Sequence, residues 1–227
     1  MVQNLTEQAY ETILDNITSL RYFPGQKVSE KEVENSIKIG RTPVREALLR
    51  LRQDGLIKVV PQSGTYISKI NLNRVSDAIL IRKSIESKVI DEACTREHSR
   101  LESIRLMQLV EEQREAAKKH DVSSFLKYSD QFHKQFFIDT DHKFLWDWLS
   151  HINIYFYRVT TLSLKLSDEN WEKSIHEQEE LLDAVFNNDP EKAHKAFEHN
   201  LDVTEETERV LLNEYPDYFY PDSNEEE

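Results

Sequence analysis

The sequence predicts a mainly α protein in two parts, an N-terminal winged helix-turn-helix followed by an antiparallel bundle of about six helices. Three observations predict it. A short helix with defined ends surrounds Arg41-Thr42-Pro43-Val44-Arg45, and a β-branched hairpin follows it at once. From Asn71 onward, apolar residues recur at helical spacing with only brief interruptions. Four glycines and six prolines in 227 residues leave few helix breakers.

Taken in order, residues 6–20 carry Ala9, Tyr10, Ile13, Leu14 and Ile17 on one helical stripe, which Phe23-Pro24-Gly25 interrupts. Ser29-Glu30-Lys31-Glu32 matches a capping box, with Ser29 as cap and Glu32 three residues on, and opens a short helix over 30–36. A tight turn over 37–40 leads into the central helix, 42–54. Thr42 is expected to cap that helix, Pro43 suits its first position, and Gly55 is placed to end it in a left-handed conformation. Val44, Ala47, Leu48 and Leu51 form its apolar face, and Arg41, Arg45 and Arg52 lie off it. Two short helices joined by a tight turn make a helix-turn-helix. Residues 56–60 and 65–69, separated by Pro61-Gln62-Ser63-Gly64, make the wing. Gly64 at its tip would let backbone approach a partner closely. Arg50 reads as a solvated charge, and Glu46 as structural, steering an arginine.

The second part reads as helices over 75–93, 101–118, 122–138, 144–164, 171–186 and 191–213, with a turn at Asn187-Asn188-Asp189-Pro190. This gives a winged domain over 1–70, a helical domain over 71–214 and an acidic tail over 215–227 that is expected to fray.

The net charge of −13 is unevenly spread. Residues 1–70 hold ten Lys/Arg and eight Asp/Glu, while the rest hold nineteen Lys/Arg, thirty-four Asp/Glu and all eight histidines. The first part can meet a polyanion; the second repels one over its general surface. No apolar run approaches the roughly 20 residues of a membrane span. No signal peptide is apparent, and a single cysteine, Cys94, fits a reducing cytoplasm.

Phe23-Pro24-Gly25-Gln26, Ser29-Glu30, Arg41-Thr42-Pro43-Val44-Arg45-Glu46-Ala47-Leu48, Asp54-Gly55-Leu56-Ile57 and Ser63-Gly64-Thr65-Tyr66-Ile67 together resemble the DNA-binding domain of the GntR family of bacterial transcription regulators. The resemblance implies that Arg41 and Arg45 enter the major groove, where a guanidinium can bond guanine O6 and N7. It further implies that Thr42 contacts phosphate or a base edge, that Lys31 contacts phosphate, and that Gly64 lies against the minor groove. Gly40 stands where the family usually has Ser or Thr, which removes one hydroxyl contact.

The helical part is similar to the FCD effector domain of the FadR subfamily through Ile81-Arg82-Lys83-Ser84-Ile85-Glu86, Phe132-His133 and Leu181-Leu182-Asp183-Ala184-Val185 with Asn188-Asp189-Pro190. Many members hold a divalent metal through one Asp and three His. The matching positions here are Ser129, His133, Gln178 and Asn200, so no metal of the usual type is expected. Asp130, His176 and His199 neighbour those positions but are displaced by different steps around their helices. Ser129, His133, Gln178 and Asn200 could still converge as a polar effector pocket, with Arg82 or Arg158 holding a carboxylate; the alternative is a set of satisfied core polar groups.

The resemblance thus implies a cytoplasmic homodimer that binds double-stranded operator DNA under control of a small, carboxylate-bearing effector, with repression the commoner family behaviour. A DNA-binding architectural protein that ignores effectors remains the other reading. An enzyme is not expected, since no nucleophile–base constellation or complete metal set appears. No cofactor and no membrane partner are expected.

Overall fold

The computed structural model describes residues 4–201 and 203–221. They form two compact units, one of Met1–Leu72 with Leu211–Glu227, the other of Asn73–Val210.

In the first unit, α1 (Leu5–Thr18) begins at Asn4, whose side chain accepts from the Thr6 amide. Helix α2 (Glu30–Ile37) has the expected reciprocal capping box between Ser29 and Glu32. Lys38 turns the chain at φ 58° into α3 (Arg41–Gln53). The cap of α3 is Gly40 rather than Thr42, and it makes no side-chain capping bond. The helix starts earlier than expected because Arg41 is already helical, which leaves Thr42 exposed within the first turn. At the other end Gly55, at φ 73°, closes a Schellman motif: its amide donates to the Arg52 carbonyl, and the Leu56 amide to that of Leu51.

Strands β2 (Ile57–Val60) and β3 (Gly64–Ile67) form the wing, with Val59 opposite Thr65. A short strand that sequence patterning misses, β1 (Lys27–Val28), pairs with the other edge of β3. Ile13, Ile17, Val44, Ala47, Leu51 and Leu56 make the core where α1 packs on α3.

The second unit contains α4 (Leu72–Thr95), α5 (Arg100–Lys118), α6 (Val122–Asp139), α7 (Lys143–Leu166), α8 (Asp168–Phe186) and α9 (Pro190–Asn200). Ser99 and Glu102 form a second capping box; Asp121, Ser167 and Asp189 cap the helices that follow them. The core is aromatic, with Phe125, Phe132, Phe136, Phe137, Trp146 and Trp171 among its buried members. The single helix expected over 191–213 is two: α9 ends at Asn200, and α10 (Glu205–Glu214) starts afresh. The reason is a new cap, since Thr204 Oγ1 accepts from the Thr207 amide at 3.1 Å and glutamates fill the first turn. Among the described residues no helix is long and apolar enough to cross a membrane.

Residues 215–221 do not fray. A 3₁₀ turn, Pro216–Tyr218, brings Phe219 alongside Ile70 in a parallel bridge. Phe219 is buried, and Tyr218 stacks between Tyr215 and Phe23. Aromatic side chains anchor a tail that its charge alone would leave in solvent. Residues 222–227 lie outside the described ones.

Candidate DNA interface and buried polar site

Helix α3 buries Val44, Ala47, Leu48 and Leu51, and this turns its N-terminal arginines outward. The Arg41 and Arg45 side chains are 77% and 69% exposed. Both reach toward Glu30 at the start of α2, with Nε–Oε distances of 3.3 and 3.9 Å. One carboxylate thus holds two guanidinium groups side by side at the open end of α3. Glu46, expected to steer an arginine, instead accepts from the Thr6 hydroxyl at 2.7 Å and ties α1 to α3. Glu30 takes the steering part.

Arg50 is not a free solvated charge. It pairs with Glu7 at 2.8 Å and stacks 3.8 Å from the Tyr10 ring centroid. Lys31 and Thr42 are exposed on the same helix pair. Gly64 begins β3 at φ 140°, in the region that favours glycine, and a Cβ there would lie 2.6 Å from Lys27 Cε. Lys27, absent from the sequence expectation, sits 5.9 Å from the Tyr66 ring centroid. The Tyr66 hydroxyl meets Ser63 at 2.6 Å and stiffens the wing tip. The uncapped amide groups at the start of α3 and the two arginines present positive potential on one edge.

The second site lies inside the bundle. Arg82 and Glu86 sit one turn apart on α4 as an ion pair, each 2% exposed. Glu86 Oε2 is 3.0 Å from His133 Nδ1, a close electrostatic contact whose geometry is not that of a hydrogen bond. The Asn200 amide nitrogen donates to the Ser174 carbonyl at 3.3 Å, so its Oδ1 faces the ring and accepts from His133 Nε2 at 3.2 Å. Gln178 donates to Ser129 Oγ at 2.8 Å. On α6 and α7 the Tyr157 hydroxyl donates to Asp130.

Burial alone would raise the Glu86 carboxyl. The Arg82 guanidinium and His133 outweigh it and hold the group at about 2. Asp130 moves the other way: burial raises it, and the Tyr157 hydrogen bond and the Arg82 charge offset this only in part. Burial likewise raises Tyr157 and Glu177.

Ser129, His133, Gln178 and Asn200 therefore form two bonded pairs, His133–Asn200 and Ser129–Gln178. Ser129 and Asn200 line a cavity of about 90 Å³ together with Tyr157, Lys173, Glu177 and Thr207. His133 and Gln178 do not line it but bond to residues that do, His133 to Asn200 and Gln178 to Ser129, while Arg82 pairs with Glu86, which in turn meets His133. Arg158 is buried on α7 and does not line the cavity. Arg82 is already neutralised by Glu86, and an incoming carboxylate would have to break a dry ion pair. Glu177 and Thr207 were missed by sequence reasoning. Glu177 is detectable only as the neighbour of Gln178, and Thr207 is hidden by the unrecognised cap at Thr204.

A divalent metal does not fit these donors. Among the described residues no three His, Cys, Asp or Glu side chains gather as a metal would require. His176 pairs with Glu180 and His199 is exposed, so neither joins His133.

Residues 5–67 match the family described as "Bacterial regulatory proteins, gntR family", and residues 77–202 match the FCD domain. The HTH-type transcriptional repressor RspR of Escherichia coli K12 is 27% identical over 217 residues, covering 96% of this chain and 94% of that protein. In fold, the chain is similar to the solved E. coli McbR/YncC, with a TM-score of 0.76 at 19% identity over 95% of this chain and all of that one. A GntR transcriptional regulator from Rhodococcus sp. RHA1 gives a TM-score of 0.68 at 18% identity over 92% of this chain and 98% of that one.

Proposed function

The chain belongs to the GntR family of bacterial regulatory proteins and pairs that winged domain with an FCD domain; from this we propose that it is a sequence-specific transcription regulator of the FadR subfamily, a repressor, acting in the cytoplasm as a homodimer. The observation that carries the proposal is the pair Arg41 and Arg45, both exposed and both paired with Glu30 at the open N-terminus of α3. Such a pair can read guanine in the major groove while Lys31 and Thr42 meet phosphate and Gly64 carries the wing toward the minor groove. Two copies would read two half-sites about 34–36 Å apart.

Fluorescence anisotropy on a duplex from upstream of the protein's own gene tests this. Arg45→Ala should weaken binding by about 1–3 kcal/mol and relax preference at one base. If Arg41→Ala and Arg45→Ala both bind as the parent does, α3 is not the reader.

The effector proposed is a small polar molecule seated by Ser129, Asn200 and Glu177. With Arg82 engaged by Glu86, a carboxylate is not needed for recognition. The polar side chains that face the cavity, Ser129, Asn170, Lys173, Glu177 and Asn200, support a polar ligand over a purely structural core. Binding there must couple reciprocally to operator affinity. A thermal-shift screen of polar metabolites separates this from the architectural reading, because a ligand of the native state raises stability. Silence across the panel favours an effector-blind protein.

A further inference from the structure

The cavity of the bundle is walled in part by the chain segment that leaves the bundle. His199 and Asn200 end α9, Val203 precedes α10 and Thr207 lies in its first turn; all four line the cavity. The Thr204 cap bonds this wall to the first turn of α10. Helix α10 is loosely held, with three glutamates in its first turn and Leu211 its one buried residue among those described. It is also a stiff rod about 15 Å long.

From Leu211 the chain belongs to the compact winged unit. Tyr215 and Tyr218 stack on toward Phe23, at 5.4 and 6.0 Å between centroids. The Ile70 amide donates to the Tyr218 carbonyl at 2.8 Å, and the Tyr220 amide donates back to the Ile70 carbonyl at 3.1 Å. The Tyr220 ring then lies 5.8 Å from Lys58 Nζ on wing strand β2. Ile70 is three residues past the end of β3 and two before α4. The tail therefore grips the peptide that leads out of the wing.

We propose that residues 203–220 are a strap that relays occupancy of the bundle cavity to the winged unit through α10. A cavity of about 90 Å³ accepts only a few atoms without moving its wall. Among the described residues between Leu201, buried in the bundle core, and Leu211, none is buried, so this side of the wall is the part free to move. Displacing it carries the far end of α10 along and strains the two hydrogen bonds at Ile70. The inference rests on the bundle cavity being the effector site and supplies that site with its mechanism of regulation.

Hydrogen exchange on the full chain, read by mass spectrometry, tests it without DNA or effector. Thr207→Trp puts bulk into the cavity as a stand-in for a ligand, with Thr207→Leu as the milder version should the first not fold. Exchange at Ile70 and Tyr220 should quicken by at least about fivefold. The reverse arm is Phe219→Ala, with Phe219→Leu as its conservative control. Exchange should quicken over 196–207 in the first and stay near the parent in the second. The relay is overturned if the cavity variants alter exchange around Ser129 and Asn200 yet leave Ile70 and Tyr220 unchanged, or if Phe219→Ala leaves 196–207 as in the parent. A protein that failed to bind operator could still show the relay, so the two failures are separable.

Discussion

A carboxyl buried among aromatic helices ordinarily keeps its proton; Glu86 loses it because Arg82 and His133 flank it. The sign of the pH dependence follows. Its folded value of about 2 lies below the unfolded value, so its contribution is present above the unfolded value and is lost as pH falls toward 2. Asp130, raised by burial, acts in the opposite sense, and its contribution is lost as pH rises through its folded value. Glu86→Gln should cost about 3–5 kcal/mol at pH 7, because it strands a buried guanidinium, and an Arg82→Met/Glu86→Leu double variant should cost less than the single one. Urea titrations at pH 7 and pH 3 check both statements, with the gap between parent and Glu86→Gln narrowing at the lower pH. At the DNA edge, Glu30→Gln frees Arg41 and Arg45 and removes a charge that repels phosphate. Affinity for unrelated duplex should rise by about 2–5-fold at low salt, with a smaller ratio of specific to non-specific binding. An unchanged ratio would mean that Glu30 does not hold the arginines in register.

At the scale of elements, caps explain both what was legible and what was not. The Ser29–Glu32 box and the Gly55 terminus are short-range signals, and both ends appear where the residues place them. Ser29→Ala should destabilise the protein by about 1 kcal/mol in thermal melts. The Thr204 cap is the same kind of signal, hidden inside a run whose periodicity carries on across it, so two helices read as one. Thr42 misled in the opposite way: it has the chemistry of a cap, but α3 begins before it. The wing supplies a further check at Gly64. Its φ of 140° is the obstacle to a side chain, whereas Lys27 Cε is the end of a flexible chain and can swing away. Gly64→Ala should therefore cost about 1–3 kcal/mol, and adding Lys27→Ala should recover little of it. Full recovery in the double variant would place the cost in the contact instead.

For the whole molecule, the charge division is the organising fact. Residues 1–70, with ten Lys/Arg against eight Asp/Glu, carry the arginine pair, and an acidic bundle repels duplex DNA from its own surface. Operator binding should therefore weaken steeply with salt, with a slope set by the few phosphate contacts of each winged unit. Sedimentation equilibrium should give twice the 26.9 kDa chain mass. A monomer at micromolar concentration would remove the two-half-site geometry from the proposal.

By itself the sequence determined most of the helices, the wing, the arginine-bearing helix α3 and the residue types at the bundle's polar site. Each depends on caps, turns and periodicity within a few residues, which are short-range physics. Tertiary structure alone decided that Glu30 faces Arg41, that Glu86 engages Arg82, and that the tail returns to Ile70. Glu30 and Arg41 are 11 residues apart and His133 and Asn200 are 67 apart. No periodicity spans such separations. Only the packing of complete helices brings those side chains within reach, and only then can burial and charge set what each can do.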